Sequence, residues 1–313
     1  MKEKAEDRIS VPILIVAFNR PEVTEIVFNK VREAKPLKLY VVVDGARNSK
    51  VGEEDLVNKV RQIVQNVDWE CETQYRFQEI NKGAEVTVSS AISWVLEKEE
   101  YVIILEDDIV APMAFLRFAE EMLIRYKEDD RIVTVTGSNF TPLPVPNDTD
   151  YFFAKYGHSW GWATWRRAWK GFDLDVSIPD EHLTTEFLTT ITSSKAELLY
   201  YKKLFTAIQK SGIGNSTWDV VGLYYFRINN KLSIIPRVNL TSNIGIFGLH
   251  ARGKSEHHFR PVDDNFVVKK HPAKVDYFLE YDQHHFKTYI HKHRIKPLYE
   301  RAFKKVLKFF GAQ

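Results

Sequence analysis

The sequence predicts an α/β protein whose central sheet is mostly parallel and covered by helices on both faces. Three observations predict it. Apolar runs without a polar break recur at VPILIVAF (11–18), LYVVV (39–43) and YVIIL (101–105), and RIVTVTGS (131–138) adds a β-branched run. Such short, uninterrupted runs are the mark of strands buried on both sides. Between them the apolar residues return at helical spacing, and charged or turn-forming residues end each run rather than breaking it.

Each element follows in order. After the first run, Asn19-Arg20-Pro21 punctuates the chain, and Pro21 suits the first turn of a helix that continues through VTEIVFNKV. The second run ends at Asp44-Gly45. GEEDLVNKVRQIVQNV then opens on acids, which suit a helix N-terminus, and sets Leu56, Val60, Ile63, Val64 and Val67 on one face. A strand near ETQYRFQEI, a helix from Gly83 to Glu97, the YVIIL strand, a helix around Met113–Tyr126 and the RIVTVTGS strand complete the first half. Beyond about residue 140 the pattern loosens. A loop with Pro142, Pro144 and Pro146 precedes YGHSWGWATWRRAW, which packs Trp160, Trp162, Trp165 and Trp169 into one short stretch. Helical stretches near 181–192 and 195–211, the segment TWDVVGLYYFRI, a strand-like LSIIPRVNL and a Gly/His/Arg loop over 243–260 follow. The expected organisation is an N-terminal α/β half (1–140), a less regular second half of the same domain (141–260) and a basic C-terminal helical extension (261–313).

Composition narrows the function classes. The chain has 313 residues, 44% hydrophobic and 27% charged, which is ordinary globular composition. Cys71 is the only cysteine, which excludes an internal disulfide and a Cys-rich zinc site. Net charge is +2, and the basic character is local, with eight Lys/Arg against Glu300 alone after His285. Nucleic acid is therefore not an expected partner. No apolar run reaches bilayer length and MKEKAEDRIS leads into no signal-like stretch, so a cytoplasmic protein is expected. The tail YERAFKKVLKFFGAQ suits either the anionic inner face of a membrane or packing on its own domain.

The chemistry concentrates at Glu106-Asp107-Asp108, directly after the YVIIL strand. Three adjacent anions at the end of an inner strand repel one another and are costly to desolvate unless cations or donors accompany them. A hard divalent cation, Mn²⁺ or Mg²⁺, meets that need, and its remaining positions suit water and phosphate oxygens. The plain alternative is a solvated acidic loop. A receiver-domain pocket also gathers acids around Mg²⁺, but there they follow the first strand, and PNDTDYFFAKYG does not read as the required later strand ending in Asp. Ligands of parallel sheets sit beyond the strand C-termini, so Asn19-Arg20, Asp44 and the three acids are expected on one rim.

Taken in order, AFNRP, VVVDGARN, NKG, ILEDD, SWGWATW, TWD and NIGIFGLH resemble GT-A nucleotide-sugar glycosyltransferases over about residues 11–255. The nearest likeness is to bacterial family-2-like enzymes and the N-acetylglucosaminyltransferase I group. The resemblance implies a GT-A fold and a DXD-type metal site. It implies transfer of a sugar from a nucleoside diphosphate sugar, UDP-linked, to a hydroxyl of a glycan, glycolipid or glycoprotein, as in bacterial surface-glycan synthesis. It places Arg20 near the diphosphate or base, Asp44 as an acceptor for the base, and Asn81 and Lys82 at further nucleotide contacts. Glu106 and Asp107 would bind sugar and ribose, with Asp108 as metal ligand and His250 completing the metal site from a closing loop. Asp219 would be the base of an inverting transfer. Trp160 or Trp162, with Trp218, would line the acceptor or donor-sugar pocket. Plain alternatives accompany these roles: a turn or helix cap for Asp44, a surface ion pair for Arg20, a helix N-terminal acid for Asp219, core packing for the tryptophans. The EDD triplet is not a literal D-x-D. Two other classes remain, a sugar-1-phosphate nucleotidyltransferase and a non-catalytic sugar-nucleotide-binding homologue. The former begins with a Gly-rich loop after its first strand, where this chain reads AFNRPEV.

Overall fold

In the computed structural model, which describes residues 8–211, 217–245 and 260–295, one eight-stranded sheet organises the chain. Its first strands are β1 (Ile13–Ala17), β2 (Lys38–Val43), β3 (Glu72–Phe77) and β4 (Tyr101–Glu106). The others are β6 (Ile132–Thr136), β7 (Tyr151–Ala154), β8 (Trp162–Trp165) and β9 (Leu232–Pro236). The order is β3-β2-β1-β4-β8-β6-β9-β7, and β7 and β8 alone run against the rest. The mostly parallel sheet expected from the apolar runs is therefore present. β1 is buried at every position because it lies between β2 and β4 and is covered on both faces.

The faces are divided as side-chain alternation demands. Ile13, Ile15 and Ala17 pack with helices α1 (Pro21–Ala34), α2 (Glu53–Gln65) and α4 (Met113–Arg125). Leu14 and Val16 point the other way, onto α3 (Ala84–Leu96) and the start of α8 (Trp218–Ile228). Pro21 opens α1, as the sequence suggested, and Lys35 ends it in a left-handed turn. On α2 the buried stripe is Val57, Val60 and Val64, with Leu56 and Ile63 only half-buried. The expected face was thus one residue out of phase at its start.

The second half contributes more sheet than its sequence suggested. WATW forms β8, an antiparallel strand inserted between β4 and β6, and YFFA forms the edge strand β7. The short helix α5 (Arg166–Trp169) follows β8 directly. α6 (Thr185–Ile191), α7 (Lys195–Ser211) and α8 enclose a further apolar cluster that also takes Phe286 and Ile290 from the segment after α9 (Leu279–His285). Asp282 anchors α9 by accepting the backbone N–H groups of Lys155 and Tyr156 and the hydroxyl of Tyr277, at 3.1, 3.3 and 2.8 Å. Two short strands, β5 (Ile109–Val110) and β10 (Ser242–Asn243), pair antiparallel just beyond the end of β4. They bring residues 243–245 across the acidic triplet.

Close backbone approach at the rim depends on Gly45. A methyl group there would lie 2.3 Å from the carbonyl carbon of Ile80, a contact that forces either β2 or the 78–83 segment to move. Gly45→Ala should lower stability by about 2–3 kcal/mol, the cost of forced overpacking. Urea denaturation measures it as a lower midpoint with unchanged slope. An unchanged midpoint would show that the two segments are not held together.

Candidate active site

Because β2, β1 and β4 are parallel neighbours, their C-termini bring Asp44, Arg20 and the acidic triplet to one rim. Two clusters form there, with different character. In the first, the Arg20 guanidinium spans two acids. It pairs with Asp107 through Nη2 and Nε, and its Nη1 lies 2.9 Å from Asp108 Oδ2. The Phe18 backbone N–H also donates to Asp107, at 3.3 Å. Burial works against the charge on Arg20, but Asp107 and Asp108 more than offset it and hold the guanidinium protonated. Burial likewise pushes the Asp107 carboxyl up, against the pull of Arg20.

Glu106 points to the opposite face of the sheet from Asp107, toward α8. Among the described residues it has no ion-pair partner, and Arg20 offsets only part of what raises its pKa. Burial, and then the charges of Asp108, Asp107 and Asp219, push its pKa up to about 8. The charge of Asp219 is thus near enough to act on Glu106. Asp219 stands in the first turn of α8, where the helix N-terminus favours a negative charge. Beside it, Trp218 stacks on Trp162 with centroids 5.5 Å apart and planes 16° from parallel. The buried indole N–H of Trp162 has no acceptor among the described residues.

The second cluster surrounds Asp44. Its Oδ1 accepts the backbone N–H groups of Gly45 and Lys82, each at 2.9 Å. Its Oδ2 accepts the Asn81 amide at 2.9 Å and the Gly83 N–H at 3.0 Å. A carboxylate offers about four acceptor positions, and the chain itself fills them. Asn81 also donates to the Gly45 carbonyl at 2.9 Å, while the Lys82 side chain stays exposed. As the structure stands, Asp44 clamps NKG at the start of α3, and a base could bond to it only by displacing one of these donors.

The tryptophans part company. Gly161, at φ 72°, interrupts the strand alternation, so Trp160 packs with the face of α1 and α4 and Trp162 with that of α3 and α8. The resemblance implied Trp160 or Trp162 in the lining of an acceptor or donor-sugar pocket, with Gly161 between them as a tight turn. Instead Trp160 is half-buried against Phe140 and Trp162 is 3% exposed. The reason is that β8 is an interior strand, flanked on both sides. Trp165 and Trp169 are buried as well. His250, proposed from the sequence to complete a metal site, lies outside the described residues, as does the basic tail from residue 296.

Two features escaped the sequence reading. Glu53, buried at the start of α2, accepts the Asn19 side-chain amide at 2.9 Å and pairs with Arg47, tying AFNRP to the loop after β2. Nothing local announces that link. The importance of Gly245 is steric: a Cβ there would stand 1.9 Å from Asp108 Oδ2 and 2.8 Å from Arg20 Nη1. The Asn-x-Gly spacing was the available signal, since the Asn243 side chain accepts the Gly245 N–H at 2.8 Å as an Asx turn.

Among the described residues, no group of three or more His, Cys, Asp or Glu is arranged to hold a metal by itself. Asp108 does present carboxylate oxygen whose one described partner is Arg20. One carboxylate with phosphate and water oxygens suits Mg²⁺ or Mn²⁺, and a nitrogen- and sulfur-rich zinc site is not what this donor set offers.

No family model and no curated protein matches the chain. Among solved structures it is similar to the mannosyltransferase PcManGT from Pyrobaculum calidifontis in complex with GDP-Man and Mn²⁺, at TM-score 0.37 and 14% identity over 70% of each chain. It is similar to mouse xyloside xylosyltransferase 1 in its apo form, at 0.36 and 12% over 71% of this chain and 81% of that one. A third likeness is to 4-diphosphocytidyl-2C-methyl-D-erythritol synthase from Anaerococcus prevotii, at 0.31 and 11% over 66% and 85%. These are likenesses of general shape, and the functional reading rests on the site's own residues.

The raised pKa of Glu106 has a measurable consequence. In an unfolded chain the group titrates at its ordinary 4.5, so between 4.5 and about 8 the folded protein keeps a proton that the unfolded chain releases. Stability therefore falls as pH rises through that window. Glu106→Gln should remove this loss, melting above the wild type at pH 8.5 and level with it near pH 4.5. Parallel melting curves across the range would show that Glu106 titrates normally.

Proposed function

We propose that this chain is a metal-dependent glycosyltransferase that moves a sugar from a nucleoside diphosphate sugar, UDP-linked, to an acceptor hydroxyl with inversion. The observation that carries the reading is the convergence, on one rim, of Arg20 and the 106–108 acids with Asp219 and its Trp218–Trp162 wall. Ordered motif resemblance supplies the reaction class, and the meeting of AFNRP with ILEDD at one rim supports it.

Asp108 is the residue to hold Mn²⁺ or Mg²⁺, with His250 as a second candidate ligand. When bound, such a cation neutralises the charge that develops on a diphosphate leaving group. Arg20 and the exposed Lys82 bring positive charge to the same rim for the phosphates. Glu106 and Asp107 face the sugar and ribose. Burial raises the pKa of Glu106, and its carboxyl is placed to hydrogen-bond a sugar hydroxyl. Asp219 takes the proton of the attacking hydroxyl from the α8 side of the cleft. Acceptors in this reading are glycans, glycolipids or glycoproteins. Among the described residues no helix is long and apolar enough to cross a membrane.

A nucleotidyltransferase reading finds no comparable support. The turn after β1 is not a Gly-rich phosphate loop: Arg20 precedes Pro21 at the start of α1 and its side chain is committed to acids.

Thermal denaturation with nucleoside diphosphates and their sugars, with and without Mn²⁺, tests the proposal, because a ligand raises the melting temperature by mass action. UDP with Mn²⁺ should give the largest rise among diphosphates, and Asp108→Ala should abolish the Mn²⁺-dependent part. No rise with any nucleotide would overturn the reading. Asp219→Asn should keep nucleotide affinity within about twofold yet slow sugar transfer by about 10²–10⁴, the range for loss of a general base. Undiminished transfer would remove Asp219 from that role.

A further inference from the structure

We propose that Arg20 is a built-in counter-cation that occupies Asp108 until a divalent ion takes its place, and that it then turns its released N–H groups to the diphosphate while Asp107 keeps hold of it. This rests on the glycosyltransferase reading and adds to it an order of exchange within the same site.

The geometry divides the guanidinium into two parts. Nη2 and Nε face Asp107, which is 5% exposed and also receives the Phe18 N–H, so that half of the contact is anchored. Nη1 faces Asp108 Oδ2 at 2.9 Å, and Asp108 has no other side-chain partner among the described residues. Asp107 therefore retains Arg20 even when Asp108 changes partner. Gly245 closes the far side of this contact, since any side chain there would collide with both Asp108 Oδ2 and Arg20 Nη1. The Ile244 N–H also holds the Asp108 carbonyl at 2.9 Å, so the carboxylate has little room to turn away from both.

Charge makes the exchange necessary. A monovalent guanidinium and a divalent cation on one carboxylate repel each other, most strongly through a shared oxygen in a partly desolvated cleft. In the proposed exchange the cation takes Oδ2 and displaces Nη1, so free cation competes with Arg20 for Asp108. Nucleoside diphosphate changes the balance, because its oxygens accept the displaced N–H groups and supply further metal ligands. Cation alone should bind weakly and cation with diphosphate tightly, with Arg20 lowering the first affinity and raising the second.

The test reads both signs. Isothermal titration with Mn²⁺ alone should show Arg20→Gln binding about tenfold or more tightly than the wild type. UDP in the presence of saturating Mn²⁺ should bind the same variant about tenfold or more weakly. A purely structural Arg20 would weaken both, and a pure phosphate contact would leave Mn²⁺ affinity unchanged; either result overturns the proposal. Because Arg20→Gln leaves Asp107 buried without its cation, the double variant Arg20→Gln/Asp107→Asn is measured alongside and should show the same gain for Mn²⁺. On the wild type, titration of arginine-labelled protein with Mg²⁺ and UDP should shift the Arg20 Nη signals while the Nε–H signal stays slow to exchange. Unperturbed Nη signals at saturation would sink the exchange. Should the wild type bind UDP with Mn²⁺ while these signs fail, only this proposal falls; should it bind no nucleotide at all, the glycosyltransferase reading falls first.

Discussion

The site depends on one charge balance, the Arg20 guanidinium held between Asp107 and Asp108 at the adjoining ends of β1 and β4. Two carboxylates next to each other in a buried setting would repel, and desolvation would favour neutralising them by protonation. A guanidinium from the neighbouring strand offsets part of that cost and fastens the two loops together. The parallel pairing of β1 with β4 makes the contact possible, because it sets Val16 beside Glu106 and so carries residues 18–20 past residues 107 and 108. Glu106 faces the other side of the sheet and receives no such cation. Its high pKa is the electrostatic signature of that difference.

Legibility from sequence followed how local the governing interaction is. β1, β2 and β4 were readable because burial on both faces leaves an apolar run, and β6 because its residues are all β-branched, properties each strand carries within itself. WATW was not readable as a strand. Its pairing partners, Tyr101–Ile104 and Thr134–Thr136, lie far away in the chain, and a Trp-rich segment after a left-handed glycine looks equally like a turn. That interior placement is also why Trp162 is buried rather than displayed. On α2, the apolar residues Leu56 and Val57 are adjacent, and only the sheet beneath decides which of them is covered.

The candidate site was legible in membership but not in partnership. Strand C-termini located Arg20, Asp44 and the triplet on one rim from pattern alone, yet which donor each acid would receive depended on loops meeting in space. Asn19 reaching Glu53, Asn81 reaching Asp44 and Gly245 lying against Asp108 join segments from 34 to 137 residues apart, and no periodicity records such contacts.

These partnerships sort the acids of the rim by what they have left to give. Asp44 has its acceptor positions filled by three backbone N–H groups and one amide, and Glu53 is committed to Arg47 and Asn19. Both therefore build loops: they fix the segments that carry Lys82 and Arg20. Asp107 is the intermediate case, tied to Arg20 and the Phe18 N–H but beside the cleft. Glu106, Asp108 and Asp219 have between them a single described cation, the Arg20 contact to Asp108. Unbalanced negative charge is expensive in a folded interior, and such groups either take up a proton, as the raised pKa of Glu106 reflects, or await a ligand that supplies the balance. The three acids least satisfied by the chain itself are thus the ones best suited to a ligand that brings positive charge or hydroxyl donors. A sugar nucleotide with its cation brings both.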